Sequence, residues 1–312
     1  MNESKEIDIL TCHLMGSTNH FSTSFKNFMV SHILAASMNG IFFFPTILLN
    51  AVSIITILKS SQLKSKPCYF IILVQSVIDL TVGVFGIPSF LVYLAQGITG
   101  TSNCFGIILA KKLSVVMIAL STINISALTM ERYVAILHPY AYSVKVTKKK
   151  SLVYVASGGV VTFFVITLSF VIWYAIMLFG MLLVTLVFIF TVFAYTRIYL
   201  VVRKLNRSQK QQFNPENQEN LTRKKLFIGE IKQAKSCFIV VMCFFALSFL
   251  PAIAFSLRNS NAKPGEFVAN DAWLYTISMF NSSINSIIFF WTKTMLRKEA
   301  KKRMNFLWAK NN

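Results

Sequence analysis

The sequence of 312 residues is poor in charge, and acidic residues are its scarcest charged type. Asp and Glu number 11 against 31 Lys and Arg, and charged residues make up only 13% of the chain. Hydrophobic residues make up 55%, a share well above that of soluble proteins. The net charge of +20 does not indicate nucleic-acid binding, because the basic residues form short clusters between long apolar runs. The composition therefore predicts a membrane protein with no nucleic-acid partner.

Residues that hold metals or carry out catalysis are also few. The five cysteines form no CxxC pair and no cluster with the four histidines, which argues against a zinc or haem site. Asp79 is a lone acid within its apolar run, whereas an intramembrane enzyme needs paired catalytic groups at one depth. The sequence therefore predicts neither an enzyme nor a catalytic metal.

The chain does contain seven charge-poor runs long enough to cross a membrane core, which takes about 20 helical residues. No charged residue separates Leu152 from Tyr195, so this double-length run is expected to hold two spans. We predict a tight turn near Trp173 and Tyr174, because aromatic rings with one polar end favour the membrane–water boundary. The predicted fold class is an all-α membrane protein, a bundle of seven transmembrane helices. The predicted spans are residues 33–58, 68–94, 104–137, 152–173, 175–202, 237–257 and 272–291.

Lys and Arg concentrate on one side of the predicted bundle. With the N-terminus outside, 25 of the 31 basic residues fall on the inner side, as expected of cytoplasmic loops. The six exceptions are Lys5, Lys26, Lys111, Lys112, Arg258 and Lys263. The N-terminal sequence lacks the features of a cleaved signal peptide, so the first span is expected to direct membrane insertion.

These patterns predict three regions. Residues 1–30 form an extracellular N-terminus with a glycosylation sequon at Asn2, and residues 31–292 form the membrane domain. Its inner loop, about 204–235, is polar without apolar period and is expected to be disordered. In the cytoplasmic segment 293–312, apolar residues recur every four positions, which favours an amphipathic helix on the inner leaflet over a disordered basic tail. These apolar residues are Leu296, Ala300, Met304 and Trp308.

Polar residues inside predicted spans are costly and therefore informative. The Asp79 carboxylate needs protonation, a cation or hydrogen-bond donors among its apolar neighbours. Asn281 and Asn285 lie one turn apart on one face of the last span, and Ser121 lies at mid-depth in the third. Together they could line one polar pocket around Asp79. The alternative is that the amides simply join helices, as they often do in membrane proteins.

A second group of residues lies at the inner end of the third span, where Glu131, Arg132 and Tyr133 begin the sequence ERYVAILHPYAY. An arginine there could pair with its neighbouring carboxylate in one state and release it in another. The stretch resembles the signature of the rhodopsin-like (class A) G-protein-coupled receptors, including its Ile136, Pro139 and Tyr142.

Other motifs of that family follow in the correct order. Asn50 and Asp79 are similar to its first-span asparagine and second-span aspartate. Phe245 and Pro251 fit its sixth-span pattern, and the sequence NSIIF from Asn285 stands where the family has NPxxY. The resemblance therefore covers nearly the whole chain.

The resemblance implies a multi-pass receptor of the plasma membrane that binds an extracellular ligand, contacts membrane lipids and activates heterotrimeric G proteins. It assigns a pocket for Na⁺, as an allosteric ion, to Asp79, Ser121, Asn281 and Asn285. The residues that it assigns to G-protein coupling and switching are Glu131, Arg132, Tyr133, Pro139, Tyr195, Phe245, Phe249, Pro251, Asn285 and Phe289.

The sequence departs from the family at three switch positions. Phe249 replaces the tryptophan before Pro251, Ser286 replaces the proline after Asn285, and Phe289 replaces the closing tyrosine. A constitutively active or non-signalling receptor is therefore an alternative, whereas a transporter is disfavoured by the absence of internal repeats.

The second outer loop also departs from the family, because it lacks the usual cysteine. Cys104 is at the usual height of the family's outer disulfide, and Cys12 is its candidate partner on the oxidising side. This minimal loop, with no proline in the fifth span, is most similar to the melanocortin-related and lipid-receptor branch.

The predicted outer half of the bundle is rich in aromatic residues and poor in charge, which favours an apolar or amphipathic small molecule or a peptide as ligand. The candidate ligand-binding residues are Lys111, Ser114, Phe249 and Trp273. Lys111 could meet an acidic ligand group, or it could extend to the lipid headgroups.

Overall fold

The computed structural model describes residues 9–14, 17–22, 29–101, 103–168, 173–211, 218–251, 253–254 and 264–311. These residues form a β-hairpin followed by helices. The strands are β1, Ile9–Leu14, and β2, Ser17–Ser22. The helices are α1, Met29–Lys59; α2, Ser61–Lys64; α3, Pro67–Thr99; α4, Cys104–Leu137; α5, Pro139–Lys145; α6, Lys148–Leu168; α7, Trp173–Gln211; α8, Gln218–Phe244; α9, Pro264–Thr292; and α10, Thr294–Asn311.

Among the described residues, five helices are long and apolar enough to cross a membrane. They are α1, α3, α4, α6 and the Gly180–Lys204 part of α7, and Ala234–Phe249 forms a shorter apolar helix. Phe44 and Phe163 point outward, 73% and 76% exposed, as expected of helices that face lipid. The helical, membrane-spanning character of the predicted fold is therefore confirmed, and the count of seven spans stays a prediction.

Helix α4 lies at the centre of the bundle and contacts α3, α6, α7 and α8, whereas α1 packs between α3 and α9. Gly158 allows α6 to approach α4 closely, since a Cβ there would lie 2.7 Å from Cγ2 of Ile123. The side chains of α4 are therefore in contact with most of the residues discussed below.

Two π-helical turns precede prolines. Val82–Gly86 lies within α3 just before Pro88, and Phe245–Phe249 continues α8 just before Pro251. Proline lacks an amide hydrogen, and its ring clashes with the carbonyl four residues earlier, so the preceding turn widens. Residues of both π turns line the cavity between the helices.

The turn between the fourth and fifth spans differs from the prediction. Trp173 and Tyr174, where the turn was predicted, are helical residues of α7, and residues 169–172 lie outside the described ones. The sequence gives no local signal for this turn, because residues 160–179 contain neither glycine nor proline to interrupt the apolar run.

The predicted disordered loop, about 204–235, is helical over its described residues. Helix α7 continues to Gln211, and α8 begins at Gln218. Lys, Arg, Gln and Glu, which fill these stretches, favour helix even without an apolar face. The predicted disorder of this loop is not tested by its helical residues and stays a prediction.

The segment after the last span forms helix α10, and its predicted amphipathic character stays a prediction. Leu296 and Ala300 are buried against the bundle, whereas Met304 is 53% exposed and the side chain of Trp308 lies outside the described ones. Its position on the inner leaflet stays a prediction.

The N-terminal hairpin was not anticipated from the sequence. Its strands pair antiparallel from Ile9 with Ser22 to Leu14 with Ser17. Strand β1 contacts α4, and β2 contacts α9. The hairpin therefore lies against two helices that are far apart in sequence.

Candidate functional site

Asp79 lies fully buried in a hydrogen-bond network between α3 and α9. Gln75 Nε2 donates to Asp79 Oδ1 at 3.1 Å, and Asn285 Nδ2 donates to Oδ2 at 3.3 Å. The Ser282 side chain forms a third hydrogen bond with the carboxyl group. The structure thus brings Asp79 and Asn285 together, as predicted, through neutral donors.

Gln75 and Asn124 extend this network to α4 and were not singled out from the sequence. Asn124 Nδ2 donates to Gln75 Oε1 at 2.8 Å and lies 3.3 Å from the carbonyl oxygen of Ile71. The available signal was spacing, because Gln75 precedes Asp79 by one helical turn and therefore lies on the same face. Asp79 is in this way connected to three helices.

A small cavity of about 20 Å³ lies beside the network and has room for about one water molecule or ion. Its polar lining includes the predicted Ser121 and Asn281, together with Ser282, which also bonds Asp79. Oδ1 of Asn281 and Oδ1 of Asn285 are buried without a hydrogen-bond partner among the described residues. Asn281 lines the cavity, whereas Asn285 and Asp79 lie in the network beside it and do not line it.

Polar side chains also join α1 to α9 along their length. Among them Ser286 Oγ donates to Asn50 Oδ1 at 2.5 Å, and Trp273 Nε1 donates to Ser31 Oγ at 2.7 Å. We call this set the α1–α9 ladder. Its pairs are Ser31 with Trp273, Asn39 with Thr276, Thr46 with Ser283, and Asn50 with Ser286. Ser286 therefore has a specific partner at the position where the expected motif has proline.

Near the C-terminal end of α4, Arg132 is only 1% exposed. Its guanidinium pairs with the Glu131 carboxylate through Nε and one terminal nitrogen. The Tyr142 hydroxyl of α5 donates to Oε1 of the same carboxylate at 2.5 Å. Burial, the negative charge of Glu131 and this hydrogen bond raise the pKa of Tyr142 well above its ordinary value, so the phenol stays a donor.

Residues 49–175 match the family model of the seven-transmembrane receptors of the rhodopsin family. This segment contains Asn50, Asp79 and the Glu131–Tyr142 stretch, which carried the resemblance. Over these residues the chain is similar to the rhodopsin family of receptors. The comparison with curated proteins found no match. The narrower assignment to the melanocortin or lipid-receptor branch stays a prediction.

Three other predicted switch residues lie on α4, α5 and α7. Tyr133 stacks on Phe193 with ring centroids 6.4 Å apart. The Tyr195 ring packs against Phe238 at 5.0 Å, and its hydroxyl is buried without a partner among the described residues. Pro139 is exposed as the first residue of α5, where a missing amide hydrogen costs nothing.

Aromatic rings pack together where α7 contacts the π turn that continues α8. Phe245 and Phe249 both contact Phe188, with centroid distances of 4.7 and 5.8 Å. Pro251 follows directly, and Phe289 is buried in a separate apolar cluster with Val240. Phe249 thus fills the tryptophan position with an aromatic ring that has no polar atom.

The four candidate ligand-binding residues are not brought together in one cavity. Ser114 lines the central cavity, where its hydroxyl donates to the Ala110 carbonyl at 2.7 Å. Trp273 belongs to the ladder instead, because its indole N–H is bound to Ser31. Lys111 and Phe249 are partly buried and do not line this cavity. A shared binding role for the four stays a prediction.

Cys104, at the start of α4, is disulfide-bonded. Cys68, Cys237 and Cys243 are free. The predicted partner, Cys12, belongs to β1, the strand that contacts α4, but its side chain lies outside the described ones. Asn2, the predicted glycosylation site, lies outside the described residues.

Proposed function

We propose that this receptor binds an extracellular ligand and activates heterotrimeric G proteins through the inner end of α4. The observation that carries the proposal is the buried Arg132, held by Glu131 while Tyr142 closes over the pair. The Glu131 carboxylate binds both Arg132 and Tyr142 of α5, so the ion pair and the contact between the two helices are linked. Such a linked pair of contacts can act as a two-state device that either holds or releases the arginine. A G protein would then meet a cation that the resting receptor hides.

The element expected to move is the helix formed by α8 and its π turn. Its inner half contacts α4, while Pro251 and Phe245–Phe249 interrupt the regular hydrogen-bond pattern above. Such an interruption lets one half of a helix move relative to the other. Movement of α8 away from α4 would open the inner face around Arg132.

Na⁺ is the allosteric ion that we propose for the central cavity. The donor types fit a hard cation, because Ser121 and Asn281 line the cavity, the Asn281 amide oxygen has no partner among the described residues, and the Asp79 carboxylate and Asn285 lie in the network beside it. A cation there would stabilise the charged form of Asp79 in an apolar setting.

The ligand class that we propose is an apolar or amphipathic small molecule or a peptide. Phe90, Tyr93 and Tyr275 form a buried aromatic cluster in the half of the bundle predicted to face outward. Such surfaces favour ligands with apolar bodies. This proposal includes location in the plasma membrane with the N-terminus outside.

A constitutively active or non-signalling receptor is the second candidate, and specific observations favour keeping it. Ser286 is fixed to Asn50, and Phe249 and Phe289 lack the polar atoms that these positions usually carry. Hydrogen bonds that stabilise an active arrangement at these positions would have to come from other residues.

The test compares G-protein activation by the wild type and by Arg132→Ala in cells, without ligand and with lipid and peptide panels. We expect a signal in the wild type that Arg132→Ala removes at equal surface expression. The matched control is Arg203→Ala, which removes an exposed inner arginine and should leave the signal unchanged. Surface-expressed wild type that activates no G-protein class would instead support the non-signalling candidate.

A further inference from the structure

Two buried cysteines meet at the inner end of the bundle. Cys68 lies in the first turn of α3 and Cys237 in α8, and they are 3% and 0% exposed. Both are free, and each lies in an apolar cluster with a residue one helical turn from the other, Cys68 with Val240 and Cys237 with Ile71. We call them the thiol pair. Cys237 lies on α8, the helix whose movement the proposed activation requires.

A lysine completes this site. Lys293, between α9 and α10, is only 3% exposed, and its Nζ lies 3.6 Å from Sγ of Cys237. An ammonium group next to a thiol stabilises the thiolate, which is the reactive form of cysteine. The thiol pair therefore combines an activated sulfur with a second sulfur placed to resolve its oxidised form, as in redox-sensing sites.

We propose that the thiol pair is an oxidation site that closes into a disulfide between α3 and α8. The Cys237 thiolate attacks one oxygen of hydrogen peroxide, the O–O bond breaks, and the leaving hydroxide takes up a proton to become water. The Cys68 sulfur then attacks the resulting sulfenic sulfur, the S–S bond forms, and the S–O bond breaks. The second water leaves with the Cys68 proton, so two thiols supply the two electrons that reduce one peroxide.

The consequence rests on the proposed function. A bond between α3 and α8 would hold the inner face closed over Arg132 and prevent G-protein activation. In a reducing cytosol the thiols stay reduced, so the bond forms only under oxidant. Because both sulfurs are buried, the reaction requires local opening, and its rate should follow how often the inner end opens.

The first experiment treats the purified full-length receptor with hydrogen peroxide, blocks remaining thiols, and maps disulfide-linked peptides by mass spectrometry before and after dithiothreitol. We expect a Cys68–Cys237 linked peptide in the wild type that dithiothreitol removes. Cys243→Ala, which removes a third free thiol of the same helix, should retain it. Absence of the linked peptide from oxidised wild type, or Cys68 linked to Cys243 instead, would overturn the proposal.

The second experiment measures G-protein activation and unfolding temperature of the same samples. Oxidised wild type should fall to the activity of Arg132→Ala and recover with dithiothreitol, whereas Cys68→Ala should not respond. If the disulfide forms without loss of activity, the regulatory role is wrong although the G-protein proposal stands. If the reduced receptor activates no G protein, that proposal fails, and the closing effect is judged by the unfolding temperature alone. It should rise on oxidation in the wild type and not in Cys68→Ala.

Discussion

Asp79 depends on neutral donors, and each of them can be tested singly. Gln75, Asn285 and Ser282 surround a carboxyl group that has no basic side chain bonded to it among the described residues. When a buried acceptor loses its donor, no water molecule can replace the hydrogen bond. The loss therefore lowers the free energy of unfolding. This places the central network among the features that hold the resting bundle together.

Replacing Gln75 with Leu should destabilise the receptor by about 1–3 kcal/mol, because Asp79 and Asn124 each lose a buried hydrogen bond. Thermal unfolding in detergent measures this effect. The control, Gln62→Leu, alters an exposed glutamine and should change little. Adding Asp79→Asn to Gln75→Leu should recover part of the lost stability. Equal losses of stability in Gln75→Leu, in the double variant and in the Gln62→Leu control would contradict this account.

Replacing Tyr142 with Phe removes the hydrogen bond that joins α5 to Glu131 and leaves the ring. We expect ligand-free G-protein activation to rise by roughly tenfold, since a charge-assisted hydrogen bond contributes about 1.5 kcal/mol to the closed state. Tyr140→Phe is the matched control, because Tyr140 is 95% exposed two residues away. Unchanged activation in Tyr142→Phe would show that this contact does not restrain Arg132.

At the scale of elements, the prolines within helices have two different effects on the backbone: some follow a π turn, and one lies in a continuous α-helix. Pro45 lies inside α1, which stays α-helical around it, whereas Pro251 follows a π turn. The sequence showed both prolines and could not tell these outcomes apart. Whether a helix relieves a proline by widening depends on its packing neighbours, here the rings of Phe188, Phe245 and Phe249.

Replacing Pro251 with Ala should allow the regular hydrogen-bond pattern to form and stiffen the helix. We expect a higher unfolding temperature together with lower G-protein activation, because the helix gains a hydrogen bond and loses its hinge. Pro45→Ala should raise the unfolding temperature without lowering activation. A Pro251→Ala receptor that signals as well as the wild type would exclude the π turn as a hinge.

Prediction from sequence worked best where one physical requirement dominates. The need to fill a membrane core revealed the apolar helices, and the cost of burying Asp79 revealed its pairing with Asn285. It worked least well where neighbours decide, as with the start of α7 at Trp173 and the indole of Trp273, which binds Ser31 instead of lining a pocket. Such pairings between distant helices leave no periodic trace in the chain.

At the scale of the whole molecule, a disulfide at Cys104 joins the start of α4 to another part of the chain. We predict that its partner is Cys12, which would fasten β1 to α4, so peptide mapping of the non-reduced receptor should recover a Cys12–Cys104 peptide. Cys12→Ser and Cys104→Ser should lower surface expression equally, whereas Cys243→Ser should not. Different losses from the two variants would contradict the pairing.

The α1–α9 ladder makes the first span of the chain dependent on the last. Asn39 and Thr46 pair with residues 237 positions later, which a ribosome adds roughly 12–47 s afterwards at about 5–20 residues per second. During that interval the polar side chains of α1 lie in the membrane without their final partners, a state that membrane proteins tolerate poorly. Chains truncated before α9 should therefore expose a polar stripe by which the cell's quality control can recognise them as incomplete.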